Sequence, residues 1–320
     1  MSSCLSTPIT WLNDNNTGFV TSTTRRKVFF IDRHGVERQG TVKTRALDIT
    51  VGDRVQFSAE KEEYLIEGYA ERKNCLKRRY GKKIKYLSSN IDLLVIVTAI
   101  GQLFQPGFID RVLCVATLEG IPSCLVVNKF DLGLDEYSTY LISVYEQLGI
   151  EVLTTSAKKE HGIESLLNRL REPKLQVVSL VGVSGVGKSS LLNRLIPKAQ
   201  RPTREVSEKS GSGRQTTSQA EAFHYREHDF ESRSQSRADL FIVDLPGVQS
   251  FGIGSLSRRE LQSGMPDVMN YAQKCEFSDC SHVAEERCGV KDAVEAGLLP
   301  ASRFESYIRM FEEIEENREY

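Results

Sequence analysis

Hydrophobic residues along this chain follow two periods, and the two periods predict two kinds of structure. Between residues 17 and 67, short apolar runs are separated by turn signals such as His34-Gly35 and Val51-Gly52-Asp53. The runs lie at residues 18–20, 27–31, 40–42 and 54–57. Several short strands so close together predict a small all-β barrel.

From residue 91 onward, apolar strands alternate with helical segments. Predicted strands lie at 91–99, 123–127, 151–155, 176–181, 220–225 and 239–243, and predicted helices at 108–119, 136–148, 162–170, 188–196 and 301–316. This alternation predicts an α/β domain with a largely parallel sheet, whose ligand loops gather at the carboxyl ends of the strands. Residues 196–236 are polar and predict a mobile or ligand-ordered segment around the strand at 220–225.

Charge is unevenly distributed, although the whole chain carries a formal net charge of −1. Residues 1–86 hold 17 Lys/Arg and 10 Asp/Glu, a net of +7, whereas residues 301–320 have a net of −3. This asymmetry indicates an N-terminal module able to meet phosphates, and the leading candidate for its short strands is a five-stranded barrel of the oligonucleotide-binding (OB) type. Eight residues of 72–85 are basic. They form either a solvated charge run or a linker or barrel edge that faces phosphate.

Cysteine usage and hydropathy indicate the compartment. Seven cysteines are an odd number, and three of them lie within 275–288, which favours a reducing compartment and a metal site over a disulfide framework. The most apolar run, 91–100, is too short to cross a bilayer, and no secretion signal is visible at the start. We expect a cytoplasmic monomer that does not contact a membrane.

Residues 182–189 match a phosphate-binding loop, Gly-x4-Gly-Lys-Ser, between an apolar strand and a helix. Glycines allow backbone N–H groups to surround phosphate oxygens. We expect Lys188 to reach the β- and γ-phosphates and Ser189 to bind Mg²⁺. A simple glycine-rich turn is the alternative, and the flanking strand and helix argue against it. The candidate binding residues are Gly182, Val183, Ser184, Gly185, Val186, Gly187, Lys188, Ser189 and Ser190.

A second motif predicts which base is bound. The Asp131 carboxylate, in Asn128-Lys129-Phe130-Asp131, can accept two donors of the guanine edge that adenine lacks. Asn128 is expected to contact the base or brace the loop, and Lys129 to lie along the base plane. Ser156-Ala157-Lys158 follows the next strand, where a backbone amide can reach the guanine carbonyl, although a plain helix-start turn has the same pattern. The candidate guanine-binding residues are Asn128, Lys129, Asp131, Ser156, Ala157 and Lys158.

Further polar residues fit the hydrolysis of a nucleoside triphosphate. Asp244-x-x-Gly247 follows a strand, so Asp244 is expected to hold Mg²⁺ through water and the Gly247 amide to sense the γ-phosphate, unless the motif is a plain turn. Thr216 or Thr217 is expected to complete the Mg²⁺ shell.

The candidate catalytic residues are Gln215, Lys188 and Thr217. Many GTPases orient water with a Gln directly after the Asp-x-x-Gly motif. Val248 stands there in this chain and cannot do so. Gln215 is the nearest substitute, and an exposed polar residue without a role is the alternative.

Cys275, Cys280, His282 and Cys288 supply three thiolates and one imidazole within 14 positions. This is a closed tetrahedral ligand set of the kind that holds a structural zinc ion. Free buried cysteines beside an incidental histidine are the weaker alternative.

The two nucleotide motifs occur in reverse order, because the guanine-binding loop lies 54 residues before the phosphate loop. An ordinary GTPase has them the other way round, so the sequence predicts a circularly permuted GTPase. We predict three domains: an OB-fold barrel with a basic linker (1–86), the permuted P-loop GTPase domain (87–254) and a helical zinc-binding domain (255–320).

With these motifs in place, the chain resembles the circularly permuted GTPases of ribosome assembly, the RsgA/YjeQ (YloQ) family. The phrases Val51-Gly52-Asp53-Arg54-Val55 and Arg72-Lys73-Asn74 belong to the resemblance. It implies a GTP hydrolase that binds the small (30S) ribosomal subunit and its rRNA late in maturation. It also implies slow hydrolysis that the subunit stimulates and that accompanies release of the protein.

Two positions, Gln215 and Leu245, depart from the family pattern, and Gly185 lacks the signature of a different group. The family usually has His, implicated in hydrolysis, where this chain has Gln215, and Thr where it has Leu245. Gly185 stands where potassium-activated GTPases commonly carry Asn. Gln cannot act as a base near neutral pH, so we expect retained GTP binding with altered turnover.

Two other functions remain as alternatives. The departure at Gln215 keeps open a GTP-gated rRNA-binding factor with little hydrolysis. An ATPase of repair or transport is the third, and Asp131 argues against it.

Overall fold

The structure, a computed structural model, describes residue 12 and residues 14–44, 47–60, 63–80, 83–196, 219–225, 239–246 and 253–317. Five N-terminal strands form a closed barrel. They are β1 (Thr17–Thr23), β2 (Val28–Asp32), β3 (Glu37–Val42), β4 (Arg54–Glu60) and β5 (Glu63–Tyr69). Their order is β1-β2-β3-β5-β4, and β4 pairs back to β1. The predicted barrel is therefore confirmed.

The barrel has its own core, because alternate residues of its strands point inward. Val20, Phe30, Val55 and Ile66 are fully buried or nearly so. Gly18 lies against the Phe30 ring, where an added Cβ would stand 2.3 Å from a ring carbon. This close approach explains why the second residue of β1 is a glycine.

The basic stretch after the barrel is a separate β-hairpin. It consists of β6 (Cys75–Tyr80) and β7 (Lys83–Ser89), which pair only with each other among the described strands. The sequence predicts a linker or barrel edge here, and the structure shows a hairpin that is not paired to the described barrel strands. Leu76 of β6 and Leu87 of β7 are buried. The strand β7 runs through residue 86, and the division into domains at that point stays a prediction.

A parallel sheet forms the centre of the molecule. Its strands are β8 (Leu93–Ala99), β9 (Ser123–Asn128), β10 (Glu151–Thr154), β11 (Val177–Val181), β12 (Glu221–Tyr225) and β13 (Leu240–Asp244). The order is β10-β9-β8-β11-β13-β12, with β12 alone antiparallel. One bridge, Ser22 to Glu221, joins β12 to β1 of the barrel, so sheet and barrel are continuous.

Helices cover both faces of this sheet. They are α1 (Pro106–Leu118), α2 (Glu136–Gln147), α3 (Ile163–Leu170) and α4 (Lys188–Leu195). Along β8, Leu93 and Val95 belong to the core under α3 and α4, whereas Leu94 and Ile96 belong to the core under α1 and α2. Alternating sides of each strand thus face different helices.

The C-terminal region is helical and packs on α1. Its helices are α5 (Arg258–Gly264), α6 (Pro266–Met269), α7 (Gly289–Glu295) and α8 (Ala301–Glu316). Gly264 of α5 lies so close to α1 that an added Cβ would be 2.4 Å from the Cys114 sulfur. No helix among the described residues is long and apolar enough to cross a bilayer.

A buried ion pair fixes the barrel to the rest of the chain. The Arg72 guanidinium donates to both Asp53 oxygens, at 2.7 and 2.8 Å. It lies between the Tyr69 and Tyr86 rings, 4.4 and 4.6 Å from their centroids. Ser89 also donates to Asp53, at 2.6 Å. The family phrases around Asp53 and Arg72 therefore act together at one structural junction.

Candidate nucleotide site and metal centre

The nucleotide motifs come together at one edge of the central sheet. The guanine motif follows β9, the Ser156 loop follows β10, the phosphate loop follows β11, and Asp244 ends β13. These four strands are parallel, so their carboxyl ends lie at the same edge, where α/β proteins bind ligands.

The phosphate loop requires glycine at three positions. Gly185 and Gly187 have φ angles of +89° and +91°, which side chains disfavour. At Gly182, a Cβ would be 2.4 Å from the Val97 carbonyl oxygen. The loop leads into α4 at Lys188, whose first-turn N–H groups have no intrahelical acceptor. A loop of this form presents backbone donors and a helix N-terminus to an anion.

Lys188 and Asp244 form a buried ion pair in this structure. The Lys188 Nζ is 2.5 Å from an Asp244 oxygen and donates to the Leu245 carbonyl at 2.8 Å. Leu245 itself donates its N–H to the Leu180 carbonyl. The backbone of Leu245, rather than its side chain, makes these contacts. The Leu that stands in place of the family's usual Thr therefore leaves them intact.

Asn128 connects the guanine-binding and phosphate-binding loops. Its side-chain N–H donates to the Val186 carbonyl at 2.8 Å. Its side-chain oxygen accepts from the Ala157 N–H at 3.1 Å and from the Thr155 hydroxyl at 3.2 Å. A Cβ at Gly187 would be 2.3 Å from the Asn128 amide nitrogen. Asn128 therefore braces three loops, in line with the second of its two predicted roles.

The Asp131 carboxylate is oriented by a hydrogen bond from the neighbouring loop. The Ser156 hydroxyl donates to it at 2.5 Å, and this hydrogen bond, more than the nearby lysines, lowers the pKa of the Asp131 carboxyl. Lys129 has a φ of +60°, which turns the chain sharply between Asn128 and Asp131. The structure thus brings Asp131 together with the Ser156 loop, and the recognition of guanine by these residues stays a prediction.

Four predicted site residues lie outside the described residues: Gln215, Thr216, Thr217 and Gly247. Their roles stay predictions. Lys158 is exposed beside Ala157, and Ser189 and Ser190 lie in the first turn of α4.

The Cys and His residues of the C-terminal region form a compact cluster. The ligand atoms of Cys275, Cys280, His282 and Cys288 lie within 4.8 Å of one another. The Cys275 and Cys288 sulfurs are 3.9 Å apart, and the His282 Nδ1 is 3.5 and 3.4 Å from them. Tetrahedral zinc with bonds of about 2.3 Å to sulfur and 2.0 Å to nitrogen holds such atoms roughly 3.8 and 3.5 Å apart. The cluster therefore fits one closed zinc site.

Burial shifts the pKa of two of the candidate ligands. Burial lowers the pKa of His282, so the imidazole is neutral and can donate a lone pair. Burial raises the pKa of the Cys280 thiol to about 12, so a nearby cation is needed to keep it ionised. Tyr307 of α8 packs beside His282 and donates to the Ser281 carbonyl at 3.0 Å, which ties the cluster to α8.

A buried charge network that sequence reasoning missed joins the C-terminal helices to α1. Arg303 of α8 is 2.6 Å from Asp110 of α1 and 2.8 Å from Asp267 of α6. The Tyr145 hydroxyl of α2 also donates to Asp110, at 2.9 Å. Burial raises the pKa of Asp110, and Arg303 opposes that shift. No local motif indicates these contacts, because the partners are far apart in sequence.

Comparison with known proteins gives consistent results. A family model described as RsgA GTPase matches residues 69–254. The small ribosomal subunit biogenesis GTPase RsgA of Chlorobaculum parvum is 32% identical over 281 residues, covering 84% of this chain and 86% of that protein. The protein of the same name from Haemophilus influenzae (strain 86-028NP) is 30% identical over 279 residues, covering 84% and 77%.

Two solved structures share the fold. YjeQ from Thermotoga maritima matches with a TM-score of 0.69 and 30% identity, covering 93% of this chain and 98% of that one. YloQ, described as a circularly permuted GTPase, matches with a TM-score of 0.64 and 24% identity, covering 96% and 97%. With its motifs in permuted order around one sheet, this chain belongs to the RsgA GTPase family.

Proposed function

We propose that this GTPase hydrolyses GTP while bound to the small ribosomal subunit and acts as a checkpoint late in the maturation of that subunit. The observation that carries the proposal is the brace made by Asn128. It joins the Ser156 loop, which orients Asp131, to the phosphate loop, through hydrogen bonds of 2.8 to 3.2 Å. One site therefore selects guanine and binds phosphate together.

Different residues at this site contact the guanine base, the phosphates and Mg²⁺. Asp131 accepts from the guanine edge, and the backbone of 182–187 donates to phosphate oxygens. With GTP bound, Lys188 would exchange Asp244 for the β- and γ-phosphates, and Ser189 and, through water, Asp244 would hold Mg²⁺. Bound Mg²⁺ supplies charge neutralisation at the β- and γ-phosphates. Exchange of the buried Lys188–Asp244 pair for new partners keeps both charges compensated throughout.

The partner is inferred from relatives and from charge. The relatives are named as GTPases of small ribosomal subunit biogenesis. Residues 1–86, which hold the barrel and most of the β6–β7 hairpin, carry a net charge of +7, and this excess of basic residues favours contact with rRNA phosphates. We propose that the Cys and His cluster holds one structural zinc ion. A monomer in the reducing cytoplasm is consistent with a cluster that needs unoxidised thiols.

Single-turnover GTP hydrolysis, measured with and without purified small subunits, tests the enzyme function. We expect slow hydrolysis by the protein alone and stimulation by the subunits of on the order of tenfold or more, because a docked partner can complete the catalytic geometry. Large ribosomal subunits serve as the control. Equal rates in all three samples would contradict a checkpoint enzyme and favour the GTP-gated rRNA-binding factor that the Gln215 departure keeps open.

A further inference from the structure

The loop after β10, which is expected to contact the guanine carbonyl, already uses most of its backbone amides. The Ser156 N–H donates to a backbone carbonyl later in the same loop at 2.9 Å. The Ala157 N–H donates to the side-chain oxygen of Asn128 at 3.1 Å, and the Lys159 N–H donates to the Ser156 hydroxyl at 3.1 Å. Of residues 156–159, Lys158 alone has a backbone amide without an acceptor in the described part of the chain. The Lys158 N–H is therefore the amide of this run that is available to a ligand.

An arginine of the helix after the phosphate loop holds the peptide that contains this amide. Arg194 lies in the last turn of α4, and its Nε donates to the Ala157 carbonyl at 3.0 Å. The Ala157 carbonyl and the Lys158 N–H belong to one planar trans peptide, so they point in opposite directions. A donor that fixes the carbonyl therefore also fixes the direction of the Lys158 N–H.

The same guanidinium holds the loop at a second point. The Arg194 Nη1 forms an ion pair with Glu160 at 2.5 Å. Glu160 has a φ of +59°, which residues other than glycine rarely adopt. At Gly162, an added Cβ would stand 2.0 Å from the Thr154 carbonyl oxygen. The loop therefore turns back within a small space, and Arg194 contacts it on both sides of Lys158.

The two contacts of Arg194 differ in their surroundings. The side chains of Arg194 and Glu160 are 45% and 66% exposed, and an exposed ion pair stabilises a protein only weakly. The carbonyl that accepts from Nε belongs to Ala157, which is buried, so water has limited access to it. We therefore expect the hydrogen bond to the Ala157 carbonyl to contribute more than the ion pair.

Arg194 also joins elements that are expected to bind different parts of a nucleotide. The helix α4 begins at Lys188, at the end of the phosphate loop, whereas the loop of 156–161 follows β10. On the other side of this loop, the His161 ring stacks on Phe130 of the guanine motif, with centroids 5.5 Å apart. The loop is thus held between the guanine motif and α4.

We propose that Arg194 is a positioning residue for recognition of the guanine base. It holds the peptide between Ala157 and Lys158 in the orientation from which the Lys158 N–H donates to the guanine carbonyl. Adenine carries an amino group at that position, so a fixed donor there disfavours adenine nucleotides. The inference rests on the function proposed above and concerns only its guanine-binding step, not contact with the ribosome.

Equilibrium binding of three nucleoside diphosphates to Arg194→Met tests the proposal in the full-length protein. GDP and inosine diphosphate both carry the base carbonyl, whereas the diphosphate of 2-aminopurine riboside lacks it and keeps the exocyclic amine expected to contact Asp131. We expect the Kd of the first two to rise about threefold to tenfold, the usual range for one neutral hydrogen bond. The Kd of the 2-aminopurine nucleotide is expected to stay unchanged, because that base has no carbonyl to accept from Lys158.

Three further variants complete the experiment. A lysine reaches one acceptor where the guanidinium holds two, so Arg194→Lys should keep part of the GDP affinity that Arg194→Met loses. Glu160→Gln removes only the exposed ion pair and should weaken GDP binding less than Arg194→Met does. Lys174→Met, whose exposed pair with Glu172 lies before β11 at the opposite edge of the sheet, is the matched control. It should bind all three nucleotides like the unmodified chain.

Equal weakening of all three nucleotides in Arg194→Met, or an unchanged Kd for GDP, would overturn the positioning role. If Arg194→Met fails to fold, Arg194→Lys decides by the same comparison. The guanine-binding step itself is judged on the unmodified chain. If that chain bound ADP as tightly as GDP, guanine recognition and this inference would both be wrong, whereas a clear preference for GDP with unaffected variants would remove the Arg194 inference alone.

Discussion

At the scale of single residues, local spacing identified the nucleotide motifs, but the contacts assign Asn128 a structural task. Its side-chain N–H donates to Val186 and its side-chain oxygen accepts from Ala157 and Thr155, so we expect the recognition of guanine to depend mainly on Asp131. The sequence could not decide between these roles, because bracing depends on residues 58 positions away. The predicted role of Asp131, by contrast, depends only on its own carboxylate and on the nearby Ser156 hydroxyl.

Asp131→Asn should change the base preference. Replacing the ionised acceptor by an amide removes charged hydrogen bonds of roughly 1.5–3 kcal/mol, so GTP should bind at least about tenfold more weakly. Xanthosine triphosphate, whose carbonyl can accept from the new amide, should bind better than GTP. Competition binding with both nucleotides measures this. Asp135→Asn, at the N-cap of α2, is the control and should keep the preference for GTP.

Gln215→Ala should slow the hydrolysis that small subunits stimulate, on the order of ten- to a hundredfold, while GTP affinity is retained. The expectation follows from loss of the group that orients the attacking water. Gln219→Ala, four positions later and exposed, is the matched control. Hydrolysis by Gln215→Ala at the parent rate would show that another group orients the water.

At the scale of elements, the strands and helices of the central sheet were predictable because their apolar residues repeat with a clear period. The observed helix Ala301–Glu316 has the predicted bounds, and β9 (Ser123–Asn128) ends one residue later than predicted. The strands β5 and β6–β7 were missed because charged residues interrupt their alternation. Partners from distant elements, such as Arg303 and Asp110, carry no local signal at all.

Arg303→Met should destabilise the packing of α8 on α1. Removing one partner of a buried ion pair leaves Asp110 uncompensated, which typically costs about 3–5 kcal/mol. Urea denaturation followed by circular dichroism gives the change in the free energy of unfolding. Arg309→Met, whose pair with Glu305 is exposed at 3.7 Å, should change it by less than about 1 kcal/mol. Similar small changes in both variants would contradict this account of the interface.

Loss of the metal should unfold the region between α6 and α7. Zinc contributes roughly 10–16 kcal/mol of binding free energy in small structural sites, and this region offers little other core. Cys288→Ala should therefore lose the one zinc ion per chain that metal analysis is expected to detect in the parent. It should also lower the proteolytic resistance of the C-terminal region. Cys124→Ala, in the central sheet, should retain the ion. Full zinc content in Cys288→Ala would contradict the assigned ligand set.

At the scale of the whole molecule, the barrel lies at one end of the central sheet, and the C-terminal helices with the Cys and His cluster pack on α1. The barrel joins the sheet through β1 and β12, where the tilted rings of Phe19 and Phe241 pack with centroids 4.1 Å apart. The C-terminal helices pack on α1, with the buried pair between Arg303 and Asp110 at that contact. Both regions are therefore packed against the domain that carries the nucleotide motifs.

Co-sedimentation of the protein with purified small ribosomal subunits, in GDP and in a non-hydrolysable GTP analogue, tests the proposed function most directly. We expect binding near one protein per subunit with the analogue and much weaker binding with GDP, and we expect added salt to weaken both. Absent binding in both nucleotide states would contradict the proposed function and separate this GTPase from the ribosome.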